Sequence, residues 1–230
     1  MGCSASAPLP PLVSQEPSAI GNPLIPEAVG KDGAGNELVY SSKKLDGMLG
    51  MSTHFYKSPD GTEVLRYKRT RIRDSMITVW REDKIVAFVK HMTDFKGIRS
   101  GNVRAVLYGT QPRDGASGHT TVLEEGVTLH PLFEVRVEAG TGQYAYLQGL
   151  GLHAAISDGG FAGAPLLTFK SKDKVAMNDK AECVATLYQN NGVLDKKPTS
   201  LSVAAGVDAT LIALLYAISE DCFQCSDASA

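Results

Sequence analysis

The sequence predicts a mainly β protein, an antiparallel barrel filled by an apolar C-terminal helix. Two observations carry this reading. Short runs rich in β-branched and aromatic residues follow one another at close spacing, with no helical pattern between them, as in antiparallel barrels and sandwiches. The only substantial helical segment, residues 207–221, has no polar face: from Leu211 to Ile218 the sole side-chain heteroatom is the Tyr216 hydroxyl. A helix apolar all round must be enclosed by protein or lipid. As a membrane span it is short, because about thirteen residues at ~1.5 Å each give roughly 20 Å, against the ~30 Å of a bilayer core. Enclosure by protein is the expectation, with Asp208 as the residue that caps the first free N–H groups.

Composition bounds the rest. A chain of 230 residues with 43% hydrophobic content has enough apolar surface for a real core. The net charge of −2 gives no global attraction for nucleic acid or anionic lipid, so either would need a local patch. Four cysteines (Cys3, Cys183, Cys222 and Cys225) are too few and too uneven for a secreted disulfide scaffold. A reducing compartment is expected, and the N-terminus lacks the charged and apolar regions of a secretory signal.

In chain order, Met1-Gly2-Cys3-Ser4-Ala5-Ser6 comes first and fits the myristoylation pattern M-G-x-x-x-[ST], with Gly2 as acyl acceptor. One myristoyl chain holds a protein only marginally (association constant ~10⁴ M⁻¹), so stable attachment needs a second signal. Cys3 is placed to supply it by S-acylation. Residues 7–36 contain six of the eleven prolines (Pro8, Pro10, Pro11, Pro17, Pro23 and Pro26) and no apolar periodicity. That composition reads as an extended, mobile tether over residues 1–36. A barrel domain follows over 37–222, and a polar tail over 223–230.

Within the domain, 52–57 and 62–68 flank Ser58-Pro-Asp-Gly61, where Pro pre-sets φ and Gly tolerates a positive value, so a hairpin is predicted. Runs 76–81 and 85–90 around Glu82-Asp83-Lys84 predict a second. Further strands are predicted at 103–108, 129–138, 144–149, 166–170 and 182–189. A barrel this wide needs an apolar filling. Leu211, Ile212, Leu214, Leu215, Tyr216 and Ile218 provide it, at ~1.5–3 kcal/mol each on burial as an upper bound.

Several stretches together resemble the tubby C-terminal-like superfamily: Gly206-Val-Asp208 opening the apolar helix, Cys183-Val-Ala-Thr-Leu-Tyr188, Arg66-Tyr-Lys-Arg-Thr-Arg-Ile-Arg73, Ile77-Thr-Val-Trp80 and Ile85-Val-Ala-Phe-Val89. Within it the chain is most similar to the LURP-one-related group, which is related in turn to phospholipid scramblases. The resemblance implies a closed antiparallel barrel of about twelve strands around a buried C-terminal helix, over roughly residues 40–222. It implies no catalytic signature.

Motifs for chemistry are scarce. Gly140-Thr-Gly142-Gln-Tyr-Ala145 matches a dinucleotide fingerprint, but that motif must open a helix in a βαβ unit. The residues that follow alternate like a strand, so a hairpin turn is the expectation. Cys222-Phe-Gln-Cys225 would need two more ligands to hold zinc, and none of His54, His91, His119, His130 and His153 is paired at ligand spacing. No nucleophile elbow, zincin motif or P-loop occurs. The expectation is a non-enzymatic protein with no cofactor and no metal.

One charge cluster stands out. Arg66, Lys68, Arg69, Arg71 and Arg73 lie within eight residues that contain no acid. Strand alternation puts Arg69, Arg71 and Arg73 on one face and Arg66 and Lys68 on the other. Guanidinium forks hold anionic headgroups, and each cation near an acidic leaflet adds ~1 kcal/mol. The competing reading is a solvated face balanced by Glu63, Asp74, Glu82 and Asp83. Related tubby domains bind phosphoinositides, so the resemblance implies the same here. The expected function is a lipid-binding or adaptor domain, acylated at Gly2 and Cys3, at the cytosolic face of a membrane, the plasma membrane by expectation. It would be a monomer that binds membrane phospholipid and no nucleic acid. Scramblase-like transport is the alternative, and it lacks the acidic calcium loop expected after the helix. A nucleotide-dependent enzyme using Gly140 and Gly142 is a third.

Overall fold

The computed structural model describes residues 9–16, 23–25, 28–29, 36–44, 51–70, 76–91, 103–113, 119–123, 126–138, 144–149, 165–170, 173–188 and 200–227. The protein is mainly β and antiparallel, with a C-terminal helix as the α-helix among the described residues. Its strands are β1 (Asn36–Lys44), β2 (Met51–Lys57), β3 (Glu63–Thr70), β4 (Met76–Arg81), β5 (Lys84–His91), β6 (Val103–Gly109), β7 (Thr121–Val122), β8 (Thr128–Glu138), β9 (Tyr144–Gly149), β10 (Leu167–Lys170), β11 (Val175–Asn178), β12 (Cys183–Tyr188) and β13 (Ser200–Val203). Helix α1 spans Ala209–Asp227.

Both predicted hairpins form. In the first, Gly61 takes φ +91°, and the Asp60 carboxylate accepts the Thr62 N–H at 2.9 Å and the Ser58 hydroxyl. In the second, Glu82 enters the left-handed region at φ +52° so that Arg81 and Lys84 pair directly. Strands β1 to β6 pair in chain order. β13 lies beside β1, and the pairing continues through β12, β11, β10 and β9 to β8. β8 also pairs with β6, from Val137↔Val103 to His130↔Gly109, and with β7. Of the Gly140–Ala145 motif, Gly140 and Gly142 lie outside the described residues, while Tyr144 and Ala145 open β9, which is adjacent and antiparallel to β8 with Glu138 opposite Tyr144. A βαβ unit is thereby ruled out at that motif.

One core joins the sheet to the helix. It unites buried residues of β1 through β6, β8 and β10 through β13 with α1. Every residue of α1 from Ala209 to Ser219 is buried, whichever way it points. The helix is enclosed by protein, as its lack of a polar face demands. The Phe169 ring of β10 meets Tyr216 of the helix edge-on at 5.8 Å. Among the described residues no helix is long and apolar enough to cross a membrane. A smaller apolar cluster of Ile85, Phe88 and Leu129, flanked by Trp80, Tyr108, Leu123 and Val127, lies apart from this core.

The structure corrects the sequence reading at both ends. The helix continues to Asp227, so the predicted polar tail begins inside it. No Gly or Pro follows Gly206 to stop it. The N-terminal stretch is no simple tether either. Ile25 and Ala28 are fully buried in the main core, and Val13 and Gln15 donate backbone hydrogen bonds to the carbonyls of Cys183 (2.8 Å) and Ala205 (2.9 Å). Val29 forms a β-bridge with Asp208. Proline-rich chain is already extended, so a few well-placed apolar residues dock it without any periodicity. We call the described residues 9–16, 23–25 and 28–29 the strap.

Candidate functional site

Two surfaces of the fold carry polar chemistry: the outward face of β3, and the end of the sheet where the strap meets the start of α1.

On β3 the alternation is clear. Leu65 and Tyr67 are buried, and Arg66 and Lys68 are half-exposed on the opposite side. Arg66 stands opposite Phe55 of β2 and Trp80 of β4, with its guanidinium 6.0 Å from the Trp80 ring centroid. It donates to the Glu82 carbonyl at 2.8 Å and lies 4.0 Å from the Glu63 carboxylate and 3.8 Å from that of Asp83. These acids belong to the set that the sequence offered as balancing charges. Both ion pairs are long and surface-exposed, the kind worth ~0–1 kcal/mol. The bond to the Glu82 carbonyl does more to hold the side chain in place. Lys68 stands opposite Thr53 and Thr78 and has no ion pair among the described residues. The backbone of Arg69 pairs with Ser52 and Ile77. Arg71, Arg73, Gly2 and Cys3 lie outside the described residues, so the structure brings together Arg66, Lys68 and the Arg69 backbone only.

At the strap, Asn178 organises a closed polar network. Its Oδ1 accepts the N–H groups of Lys180 (3.0 Å) and Glu182 (2.8 Å), while its Nδ2 donates to Gln15 Oε1 (2.9 Å) and Glu182 Oε2 (2.7 Å). Gln15 Nε2 also reaches Glu182 Oε2 at 3.3 Å. Bonds from the Asn178 and Gln15 side chains hold the Glu182 carboxyl below its ordinary value.

Asp208 joins the strap to the helix. Its Oδ1 accepts the Thr210 N–H at 2.8 Å, which is the cap the sequence predicted, and its Oδ2 accepts the Leu24 N–H at 2.6 Å. Burial pushes this carboxyl up, against the effect of those two bonds. Gly206, at φ +78°, lies so close to the strap that a Cβ would come within 1.7 Å of the Gln15 carbonyl oxygen. Sequence reasoning found Asp208 and Gly206 as a helix start. It missed their second partner, because Leu24 is 184 residues away from Asp208.

Two of the other candidate groups, His54 and Cys183, are buried. His54 is buried and stacks on Tyr67 at 4.6 Å between centroids with the rings 8° from parallel. The Cys183 thiol is free and buried, and burial pushes its pKa up, away from the reactive thiolate. No group of three or more metal-ligating side chains occurs among the described residues. No protein-family model matches the chain and no curated protein matches it, so the functional reading stands on these residues and their geometry.

Proposed function

We propose that this protein is a membrane-tethered, non-enzymatic lipid-binding or adaptor domain that recognises anionic phospholipid at the cytosolic face of a membrane. In this reading it is a tubby-like, LURP-one-related barrel whose strands close around α1. The pairing of β8 with β6 supports closure, because it links one end of an otherwise linear strand order to the strand next to the other end, and so does a helix buried on every described side.

The observation that carries the function is the outward face of β3, where Arg66 and Lys68 stand between aromatic and hydroxyl side chains. Aromatic rings settle at the headgroup level of a bilayer, and basic side chains reach phosphate from there. The weak ion pairs of Arg66 leave its guanidinium open to competition from a phosphate, which offers a bidentate acceptor of higher charge. In sequence Arg69, Arg71 and Arg73 follow directly and add three cations to the run, although strand alternation sets them on the face opposite Arg66 and Lys68. Acylation at Gly2 and Cys3 supplies the tether, so the headgroup contact need only orient a domain already at the surface.

Vesicle co-sedimentation tests the headgroup contact. Neutralising Arg66, Lys68, Arg69, Arg71 and Arg73 to Gln lowers binding to phosphoinositide-containing vesicles by about a factor of ten or more, at ~1 kcal/mol per cation near the surface. Undiminished binding refutes it. Membrane fractionation of Gly2→Ala tests the anchor, and an unchanged membrane fraction would end that part of the proposal.

A further inference from the structure

A cavity of about 250 Å³ opens at the end of the sheet that the strap crosses. Its walls are Pro23 and Leu24 of the strap, Leu132 and Phe133 of β8, and residues 110–113, which leave β6 after Gly109. Gly109, just before them, lets Leu132 and Leu24 close over the strand end, since a Cβ there would come within 2.5 Å of Leu132 and 3.0 Å of Leu24. The one charged side chain in the wall is Arg113, half-buried, with its guanidinium 4.9 Å from the Phe133 ring centroid. Unlike Arg66, it has no carboxylate partner among the described residues.

We propose that this cavity binds a small organic carboxylate, with Arg113 taking the carboxylate and the Leu24, Leu132 and Phe133 walls taking a short apolar body. A guanidinium stacked on a ring keeps its N–H fork free at the edge, the geometry that matches a carboxylate bidentately. With no acid partner among the described residues, the half-buried head can take a carboxylate that enters in place of water. Thr110 and Gln111 add neutral hydrogen-bonding groups to the wall. The space equals roughly eight water volumes at ~30 Å³ each, which suits a body of about six to eight carbons. One fixed cation selects a single negative charge. A phosphate monoester carries ≈ −1.5 to −2 and would leave part of it uncompensated against apolar walls.

The site is also linked to the strap. Pro23 and Leu24 form one wall only while the Leu24 N–H is held by Asp208 at 2.6 Å. A ligand that needs this wall binds the docked state alone and so favours docking by mass action.

The test is calorimetric titration of the full-length protein with octanoate, octan-1-ol and hexyl phosphate. Octanoate is expected to bind one per chain, and octan-1-ol and hexyl phosphate to bind more weakly. Arg113→Gln should weaken octanoate by about 10- to 100-fold, the range for losing a hydrogen bond to a charged group, and Arg113→Lys by less. Octanoate should also slow cleavage at Glu16, in the strap, by a glutamate-specific protease. The proposal is overturned if wild-type protein does not bind octanoate, if octan-1-ol or hexyl phosphate binds as tightly, or if folded Arg113→Gln or Arg113→Lys binds octanoate like wild type. This site is independent of the β3 face, so vesicle binding can fail while octanoate binding holds.

Discussion

Replacing Gly206 with Ala should release the strap, and the structure sets the size of the effect. At φ +78° a residue with a Cβ costs about 1–2 kcal/mol. The added methyl would also lie 1.7 Å from the Gln15 carbonyl oxygen and 2.7 Å from its carbonyl carbon. The obstacle is backbone, so no rotamer change relieves it. A carbon–oxygen contact needs ≈ 3.3 Å or more, so the strap must shift by roughly 1.6 Å. That shift breaks the 2.9 Å bond from Gln15 N–H to the Ala205 carbonyl and weakens the Asn178–Gln15–Glu182 network. At ~0.5–1.5 kcal/mol per hydrogen bond, the total is about 2–4 kcal/mol. For a domain of this size that lowers Tm by about 5–15 °C. Gly61→Ala is the control: Gly61 sits at φ +91° with nothing within 4 Å of the would-be Cβ, so it isolates the backbone term. The assay is thermal unfolding paired with glutamate-specific cleavage at Glu16. Gly206→Ala should lose more stability than Gly61→Ala and alone speed cleavage at Glu16, whose side chain is exposed but whose backbone neighbours are docked. Equal losses, or an unchanged cleavage rate, would refute strap docking at Gly206.

Leu214 is 1% exposed in the centre of α1, so Leu214→Ala should cost about 2–5 kcal/mol, and Leu214→Asp should leave no cooperative unfolding transition by circular dichroism; a folded, soluble Leu214→Asp protein contradicts enclosure. Removing the Asn178 side chain in Asn178→Ala takes away the acceptor of the Lys180 and Glu182 N–H groups and the donor to Gln15 Oε1, at about 1–3 kcal/mol in urea denaturation. Because the Glu182 carboxyl is lowered in the folded state, its contribution is fully present above its ordinary value of 4.5 and is lost as pH falls through the lowered one. Glu182→Gln should therefore flatten the acid-side loss of strap protection below pH 4.5, read by the same cleavage at pH steps with an acid-active protease. Asp208 acts in the opposite sense: its raised pKa gives a contribution present below 3.8 and lost as pH rises through the shifted value, so Asp208→Asn should reduce the fall in stability on that side.

What could be read from the sequence was what is decided locally. The Ser58–Gly61 hairpin rests on proline, aspartate and glycine chemistry within four residues, and β4 and β9 have their predicted bounds. The apolar helix declared its own enclosure. Strands β11 and β13 were missed because four residues give too short a run for periodicity, and in β13 Ser alternates with Leu and Val. β1 and β7 were missed as well: β1 is rich in serine and lysine, and β7 has two residues. The strap could not be foreseen for a different reason. Leu24 meets Asp208 and Gln15 meets Glu182 and Asn178 across 184, 167 and 163 residues, so the partners are set by topology and leave no mark on neighbouring residues. For Arg66 the sequence named the right acids, Glu63 and Asp83, since the two hairpins already bring them near.

The strap also fixes how the domain would meet a membrane. A free tether over residues 1–36 would reach about 120 Å from an anchor at Gly2 at ~3.5 Å per residue, enough to let the domain tumble in any orientation. With Val13 held at the Cys183 carbonyl, eleven residues separate the anchor from the fold, a reach of about 40 Å. Local concentration at the surface falls roughly as the −3/2 power of linker length, so this threefold shortening raises it about fivefold. The leash leaves from the strap end of the sheet, and that end carries the cavity and the Glu82–Asp83 turn beside Arg66. With acylation at Gly2 as proposed, a short leash rooted there would act as a compass needle, turning one end of the protein toward the bilayer before any headgroup is touched.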